Sequence, residues 1–221
     1  MKGREGSVAA MRNRSGPAKP RHSFPSRSPA SPSPRQSGLD ADGLTFVCAT
    51  ATEARVARRL GLRTAVVGIG ARRALPEGQL VSFGLAGGLH DDLACGEVID
   101  ATRVVDLHGN VLWEGEPLGV PGARPGTILA VDAVVGGAPE RSALREQTGA
   151  DAVDMESGVL ARSGRLAGCL RAISDTPSRT LGPLATALQP GGLARALSRP
   201  RHTGRALLDV KRALRRLEEV T

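Results

Sequence analysis

Three short segments of the sequence carry side chains suited to chemistry. VDMESG (153–158) sets two carboxylates, Asp154 and Glu156, on either side of Met155. RAISD (171–175) ends on Ser174 and Asp175, and FGLAGGL (83–89) spaces Gly84, Gly87 and Gly88 around Leu85 and Ala86. A carboxyl group transfers protons or steadies a positive charge, and glycines let backbone amides come close to a ligand. Each segment also has an ordinary use. First-turn acids favour a helix dipole, an aspartate at a strand end caps a turn, and a glycine run allows a tight strand-to-helix turn. A further acid, Glu53, follows the apolar run LTFVCA (44–49). The glycine spacing fits neither a dinucleotide fingerprint nor a phosphate loop, since no Lys-Ser or Lys-Thr pair follows it.

The elements that must position these residues alternate between strand and helix. Residues 44–49 read as a strand, and 50–60 as a helix capped by Thr50 or Thr52 and closed by Gly61. Residues 64–70 and 79–84 are the next strands, the second followed by a turn at 85–89. Strands are also predicted at 97–105, 111–113 and 127–133, a helix at 155–163 ended by Gly164, and a late strand at 168–174 that delivers Asp175. Leu207, Val210, Leu214 and Leu217 recur at helical spacing and predict a C-terminal helix from Thr203. Arg205, Lys211, Arg212, Arg215 and Arg216 fall mainly off that apolar stripe. Apolar, β-branched strands alternating with helices predict an α/β fold: a single domain on a mixed, largely parallel sheet flanked by helices. Ligands in such sheets bind beyond the carboxyl ends of the strands, where Glu53, the glycine run and Asp175 fall.

The net charge of +8 invites a nucleic-acid reading, but residues 1–38 hold eight basic residues against the single acid Glu5 and account for seven of those charges. The remainder is close to neutral. Three Phe, one Trp and no Tyr provide no stacking platform for a single strand. Residues 1–38 are rich in Ser, Pro and Arg, bury too little to offset their ordering entropy and read as a disordered tail. Residues 39–221 then form the domain. The tail admits three uses: none at all (an over-extended start), a basic arm for a polyanion, or a targeting peptide, which its prolines disfavour. Cys48, Cys95 and Cys169 show neither a close pair nor metal spacing. No run approaches the roughly 20 apolar residues that span a bilayer. A cytoplasmic, reducing setting is expected.

Taken together and in this order, GLAGG, DMES and AISD resemble the nucleoside phosphorylase and nucleosidase superfamily, which carries a GxxGG-like turn, a Met-Glu helix start and a Ser-Asp strand end. Glu53 matches a glutamate that the methylthioadenosine/adenosylhomocysteine nucleosidases hold after their first strand. The resemblance extends over residues 44–180. The compact middle and the ending SDTPSRTLGPLATALQPGG are most similar to the hopanoid-associated phosphorylases, assigned to removing adenine from adenosylhopane. What this implies is a phosphorylase/hydrolase-like fold and cleavage of the N-ribosidic bond of a purine nucleoside, a 5′-substituted adenosine such as adenosylhopane, by phosphorolysis or hydrolysis. That bond breaks through a state positive at the sugar while negative charge builds on the base. The resemblance makes Asp175 the general acid at the purine N7, Glu156 the holder of the ribose hydroxyls, Met155 a packing surface for the sugar and Glu53 the group that positions an attacking water. Gly84, Ala86, Gly87, Val134, Val135 and Ser174 complete the implied binding set. It implies no metal and no organic cofactor, phosphate as the one optional co-substrate, a small nucleoside as partner, no specific nucleic acid and a homo-oligomer. A membrane-anchored substrate would add peripheral contact between the basic C-terminal helix and anionic headgroups.

The pattern breaks in three places. Phosphorylases carry an Arg and a Ser around the third-strand turn to hold phosphate. Ser82 and Leu85 stand there here, leaving backbone amides or Arg72 and Arg73 for that task, which favours hydrolysis. Val134 stands where nucleosidases stack a phenylalanine on adenine, and backbone groups near Val135 are left to read the purine edge. The full helix between the second and third strands shrinks to ARRALPEG (71–78), with Pro76 against its extension, which opens one flank of the site. The rival readings are a methylthioadenosine or adenosylhomocysteine nucleosidase and, from other classes, an inactive relative or a nucleic-acid binder that uses the basic tail.

Overall fold

The computed structural model describes residues 43–181 and 200–221, and side chains within 43–181 and 208–221. The predicted tail at 1–38 lies outside the described residues. The strands are β1 (Leu44–Cys48), β2 (Thr64–Val66), β3 (Gln79–Gly88), β4 (Val98–Val105), β5 (Val111–Glu114), β6 (Arg124–Ala130), β7 (Ala152–Asp154) and β8 (Leu166–Asp175). The helices are α1 (Ala51–Arg59), α2 (Ala138–Thr148), α3 (Ser157–Arg162) and, at the end, α4 (Pro200–Val220). All eight strands join one sheet. β3 runs parallel to β1 and β8, β8 antiparallel to β4, β4 and β7 parallel to β6, and β7 antiparallel to the last two residues of β3. These pairings close β3, β8, β4, β6 and β7 into a ring, from which β1 and β2 extend on one side and β5 on the other. Five of the eight pairings are parallel, so the sheet is the mixed, largely parallel one that the sequence predicts.

β8 makes plain why the strands are apolar throughout. Cys169 and Ile173 pack in one core with Val47, Leu80 and Leu160, while Leu170 and Ala172 pack in another with Phe46, Phe83, Ala213 and Leu217. Strand side chains alternate in direction, so burial on both faces requires a near-continuous apolar run. Phe46 and Phe83 meet edge to face with ring centres 5.8 Å apart. α1 starts at a capping box: Thr50 Oγ1 accepts from the Glu53 amide, and the Glu53 carboxylate accepts from the Thr50 amide at 2.8 Å. Ala54, Val56 and Ala57 of α1 are buried. α4 buries Ala213, Leu214 and Leu217 and leaves Lys211, Arg212, Arg215 and Arg216 exposed, as its stripe predicts. Its buried Asp209 accepts from Arg179 Nε at 2.8 Å and Nη2 at 2.5 Å, tying the helix to the chain just beyond β8.

Several boundaries differ from the sequence reading. The predicted turn at 85–89 is strand: β3 continues to Gly88 because β8 alongside and β7 at its end supply hydrogen-bonding partners. Asp154 is the last residue of β7, a strand the sequence reading lacks, and not a first-turn acid; α3 begins only at Ser157. α2 is also unanticipated, although a proline near its start and Gly149 at its end, with φ +69°, are ordinary helix boundaries. β2 stops at Val66 and β6 lies at Arg124–Ala130, each a few residues short or early. Between β2 and β3 no helix forms, in accord with the shortened segment.

Leu217 is fully buried under α4, whereas Leu208 on the same helix is 64% exposed. Leu217→Ala is expected to cost about 2–5 kcal/mol and Leu208→Ala less than about 0.5 kcal/mol, read as shifts in urea midpoint. Equal midpoints for the two variants would mean that α4 is not docked on the sheet.

Candidate active site

β8 carries Arg171 into the interior with no exposed surface. A buried charge persists only when it is paired and hydrogen-bonded. Arg171 Nη2 forms an ion pair with Asp154, donates to Ser82 Oγ at 2.5 Å and lies 3.6 Å from Glu156 Oε2. Burial opposes the charge on Arg171, but Asp154, Glu156 and Glu53 more than offset it, and the guanidinium is held more firmly protonated than usual. Asp154 also accepts from Ser157 Oγ at 2.5 Å and from the Ser157 amide at 3.2 Å, which fixes the start of α3. Gly84 lies where two charged groups pass, because a Cβ there would collide with the Glu53 carboxylate and with Arg171 Nη1.

The other acids are held as firmly. Glu53 Oε2 accepts from the Thr50 amide and hydroxyl, both at 2.8 Å, and Oε1 accepts from the Leu85 amide at 3.0 Å. That pins it between the start of α1 and the middle of β3. Glu156 Oε1 accepts from the Gly70 amide at 2.9 Å. Its carboxyl is pushed up to about 7: burial disfavours the charge, Arg171 resists, and Asp154 reinforces the rise. Asp175 Oδ2 pairs with Arg141 Nη2 at 2.5 Å, and Ser174 Oγ lies 2.7 Å from Asp175 Oδ1 and 3.1 Å from the Ala86 carbonyl.

These groups open on one cavity of about 370 Å³. Of the ten site residues predicted from sequence, Glu53, Ala86, Gly87, Val134, Val135, Met155, Glu156, Ser174 and Asp175 line it. Gly84 does not; it makes room behind the wall for Glu53 and Arg171. Ser82 is likewise behind the wall and taken by Arg171, and Arg72 and Arg73 are exposed and away from the cavity. Sequence reasoning missed Arg141, which enters from the unanticipated α2, and gave Arg171 no role. The signal for Arg171 was present: a lone basic residue inside an apolar strand must find buried acids. Ile69, Leu181, Val210 and Leu214 add apolar lining to the cavity. Among the described residues no cluster of His, Cys, Asp or Glu is arranged to hold a metal, and no helix is long and apolar enough to cross a membrane.

Residues 114–207 match the family described as Phosphorylase superfamily, less than half of the chain. Solved structures extend the likeness to the whole fold. A putative 5′-methylthioadenosine/S-adenosylhomocysteine nucleosidase from Francisella philomiragia superposes with a TM-score of 0.51 at 18% identity, covering 80% of this chain and 97% of that one. The futalosine hydrolase of Helicobacter pylori gives 0.50 at 14% identity, covering 76% and 96%. The methylthioadenosine/adenosylhomocysteine nucleosidase of S. pneumoniae, solved with a transition-state inhibitor, gives 0.50 at 17% identity, covering 77% and 99%. The chain therefore has the fold of these nucleosidases. No curated protein matches its sequence significantly.

The raised carboxyl of Glu156 makes stability depend on pH. Between its ordinary value of 4.5 and about 7 the folded protein keeps a proton that the unfolded chain releases. Stability contributed by this group is therefore lost as pH rises through that window. Glu156→Gln, neutral at every pH, is expected to flatten the fall in urea midpoint between pH 5 and pH 7.5. An identical slope in wild type and variant would place the titrating group elsewhere.

Proposed function

We propose that the chain cleaves the N-ribosidic bond of a purine nucleoside by hydrolysis, with a 5′-substituted adenosine such as adenosylhopane as substrate. One observation carries the reading: Glu53, Glu156 and Asp175, far apart in sequence, converge on a single cavity of nucleoside size. Bond breaking leaves positive charge at the sugar and negative charge on the base. Glu156, as a carboxylate, holds the ribose hydroxyls and favours the cation beside it, with Met155 against the sugar face. Glu53, its two oxygens fixed by Thr50 and Leu85, orients a water toward C1′. At the other end Asp175 gives a proton to the purine N7 as the C1′–N9 electron pair passes to the base. Water oxygen bonds to C1′ and its proton leaves through Glu53, so nucleoside and water become ribose and free base. Val134 and Val135 pack the base without a ring to stack on it. No metal or organic cofactor enters this scheme.

The charge around the cavity favours water over phosphate. Among the described residues four acids line it, Glu53, Asp154, Glu156 and Asp175, against one cation, Arg141, already paired with Asp175, while Arg171 behind the wall is taken by Asp154. An anionic co-substrate would meet these acids, with no free guanidinium among the described lining residues to receive it. A methylthioadenosine or adenosylhomocysteine nucleosidase is the second reading, and the apolar wall of Leu181, Val210 and Leu214 supports it as well as it does a lipid-like substituent. If the substrate is membrane-anchored, the exposed Lys211, Arg212, Arg215 and Arg216 of α4 are the face for anionic headgroups.

Adenine release from adenosylhopane and from methylthioadenosine, each with and without phosphate, tests the reaction. Release is expected to be indifferent to phosphate and to fall about 10²–10⁴-fold in Asp175→Asn, the range of a lost general acid. Strict phosphate dependence would replace hydrolysis by phosphorolysis. Absence of adenine from every substrate would point to another base or an inactive relative.

A further inference from the structure

Among the described residues Arg141 is the only cation in the cavity wall, and the scheme above gives it no task beyond pairing. It is 5% exposed and spends its donors on three separate parts of the fold. Nη2 pairs with Asp175 Oδ2 at 2.5 Å, at the end of β8. Nη1 donates to the Gly88 carbonyl at 2.9 Å, at the end of β3, and Nε to the Gly136 carbonyl at 3.0 Å, next to Val135. Gly87 keeps the approach open: a Cβ there would stand 3.3 Å from Arg141 Nη1 and 3.4 Å from Asp175 Oδ1.

We propose that Arg141 is the positioning residue of the leaving-group end, holding Asp175 in register with the base-side segment and drawing its proton toward the departing base. The proposal rests on the nucleoside-cleaving reading. A general acid ends its step as a carboxylate, and a fixed cation on its far oxygen stabilises that product. Oδ1 remains the working oxygen. Ser174 Oγ suits both of its states: it donates to the Ala86 carbonyl while Oδ1 carries the proton and turns to donate to Oδ1 once the proton has gone. The same guanidinium fixes residue 136, so the segment that packs the base and the group that protonates it move as one.

The test compares two leaving groups in the full chain. Methylthioadenosine needs its base protonated; 4-nitrophenyl riboside releases a phenolate that does not. Arg141→Met is expected to lower kcat on methylthioadenosine at least 100-fold, with KM changed less than about 5-fold, and to lower kcat on the aryl riboside at least 30-fold less. Arg141→Lys, which keeps the charge but not the three-way hold, is expected to show the same bias at about 3- to 10-fold. Equal losses on the two substrates, in either variant, would reduce Arg141 to a structural ion pair and overturn the proposal. Should Arg141→Met fail to fold, the lysine variant decides alone. Amide exchange supplies a readout independent of turnover: residues 134–137 are expected to exchange at least 10-fold faster in either variant, and unchanged protection overturns the tether. If the wild type cleaves neither these two substrates nor adenosylhopane, the nucleoside-cleaving reading fails and the proton-transfer role with it, while exchange still decides the tether.

Discussion

Burial of one guanidinium constrains the rest of this molecule. Arg171 sits in the middle of β8, a strand whose both faces are core, so it has no route to water. Acids must therefore come to it. Asp154 arrives from the end of β7, Glu156 from the junction with α3, and Ser82 from β3. Glu53 reaches the same place because β3 has no side chain at Gly84 to keep it out. A fully buried pair of this kind is weak as a source of stability, since desolvation offsets most of the attraction. Its value lies in what it fixes: β3, β7, β8 and the start of α3 can share that charge in only one register.

The same arrangement divides the cavity by charge. Three carboxylates around one guanidinium leave the Glu156 side of the cavity net negative, and burial then pushes the Glu156 carboxyl up to about 7. Asp175 has its own cation, with Arg141 Nη2 2.5 Å from Oδ2. On the proposed reading, a bond that breaks into a cation and an anion meets excess negative charge where the sugar turns positive and, once Asp175 has given up its proton, a balanced ion pair where the base leaves. Ile69, Leu181, Val210 and Leu214 also line the cavity and contribute packing without field.

Much of the fold was legible because two-sided burial leaves a plain mark. The apolar runs of β1, β3 and β8 stand out at once, and so does the 3–4 spacing of α4. What escaped has physical causes. The glycine run reads as a turn because glycine ordinarily weakens strands, yet here it allows β3 to pass close to Asp175 and Arg141. β7 is three residues long and carries Asp154, too short for alternation to register. α2 has one buried side chain, and that is the charged Arg141, so its inward face looks like an outward one. The cavity lining was legible where order along the chain carried it, in Glu53, Met155, Glu156 and Asp175. It was hidden where a charge enters from an element that the apolar pattern does not announce.

The shortened connection between β2 and β3 bears on how Glu156 is held. Without a helix there, the segment contributes backbone: the Gly70 amide is the hydrogen bond that Glu156 Oε1 receives from this side. Ala71 follows with φ +49°, a left-handed conformation that costs a residue with a Cβ about 1 kcal/mol. The strain is tolerable because Ala71 donates its amide to the Gly68 carbonyl at 3.0 Å and packs partly against the core. One amide steadies the carboxylate, but burial and Asp154 outweigh it, which is why Glu156 titrates near neutrality and not as an ordinary surface acid. On the proposed reading Glu156 is a carboxylate when the sugar beside it turns positive, and the interaction is stronger with the developing charge than with the neutral sugar that precedes it.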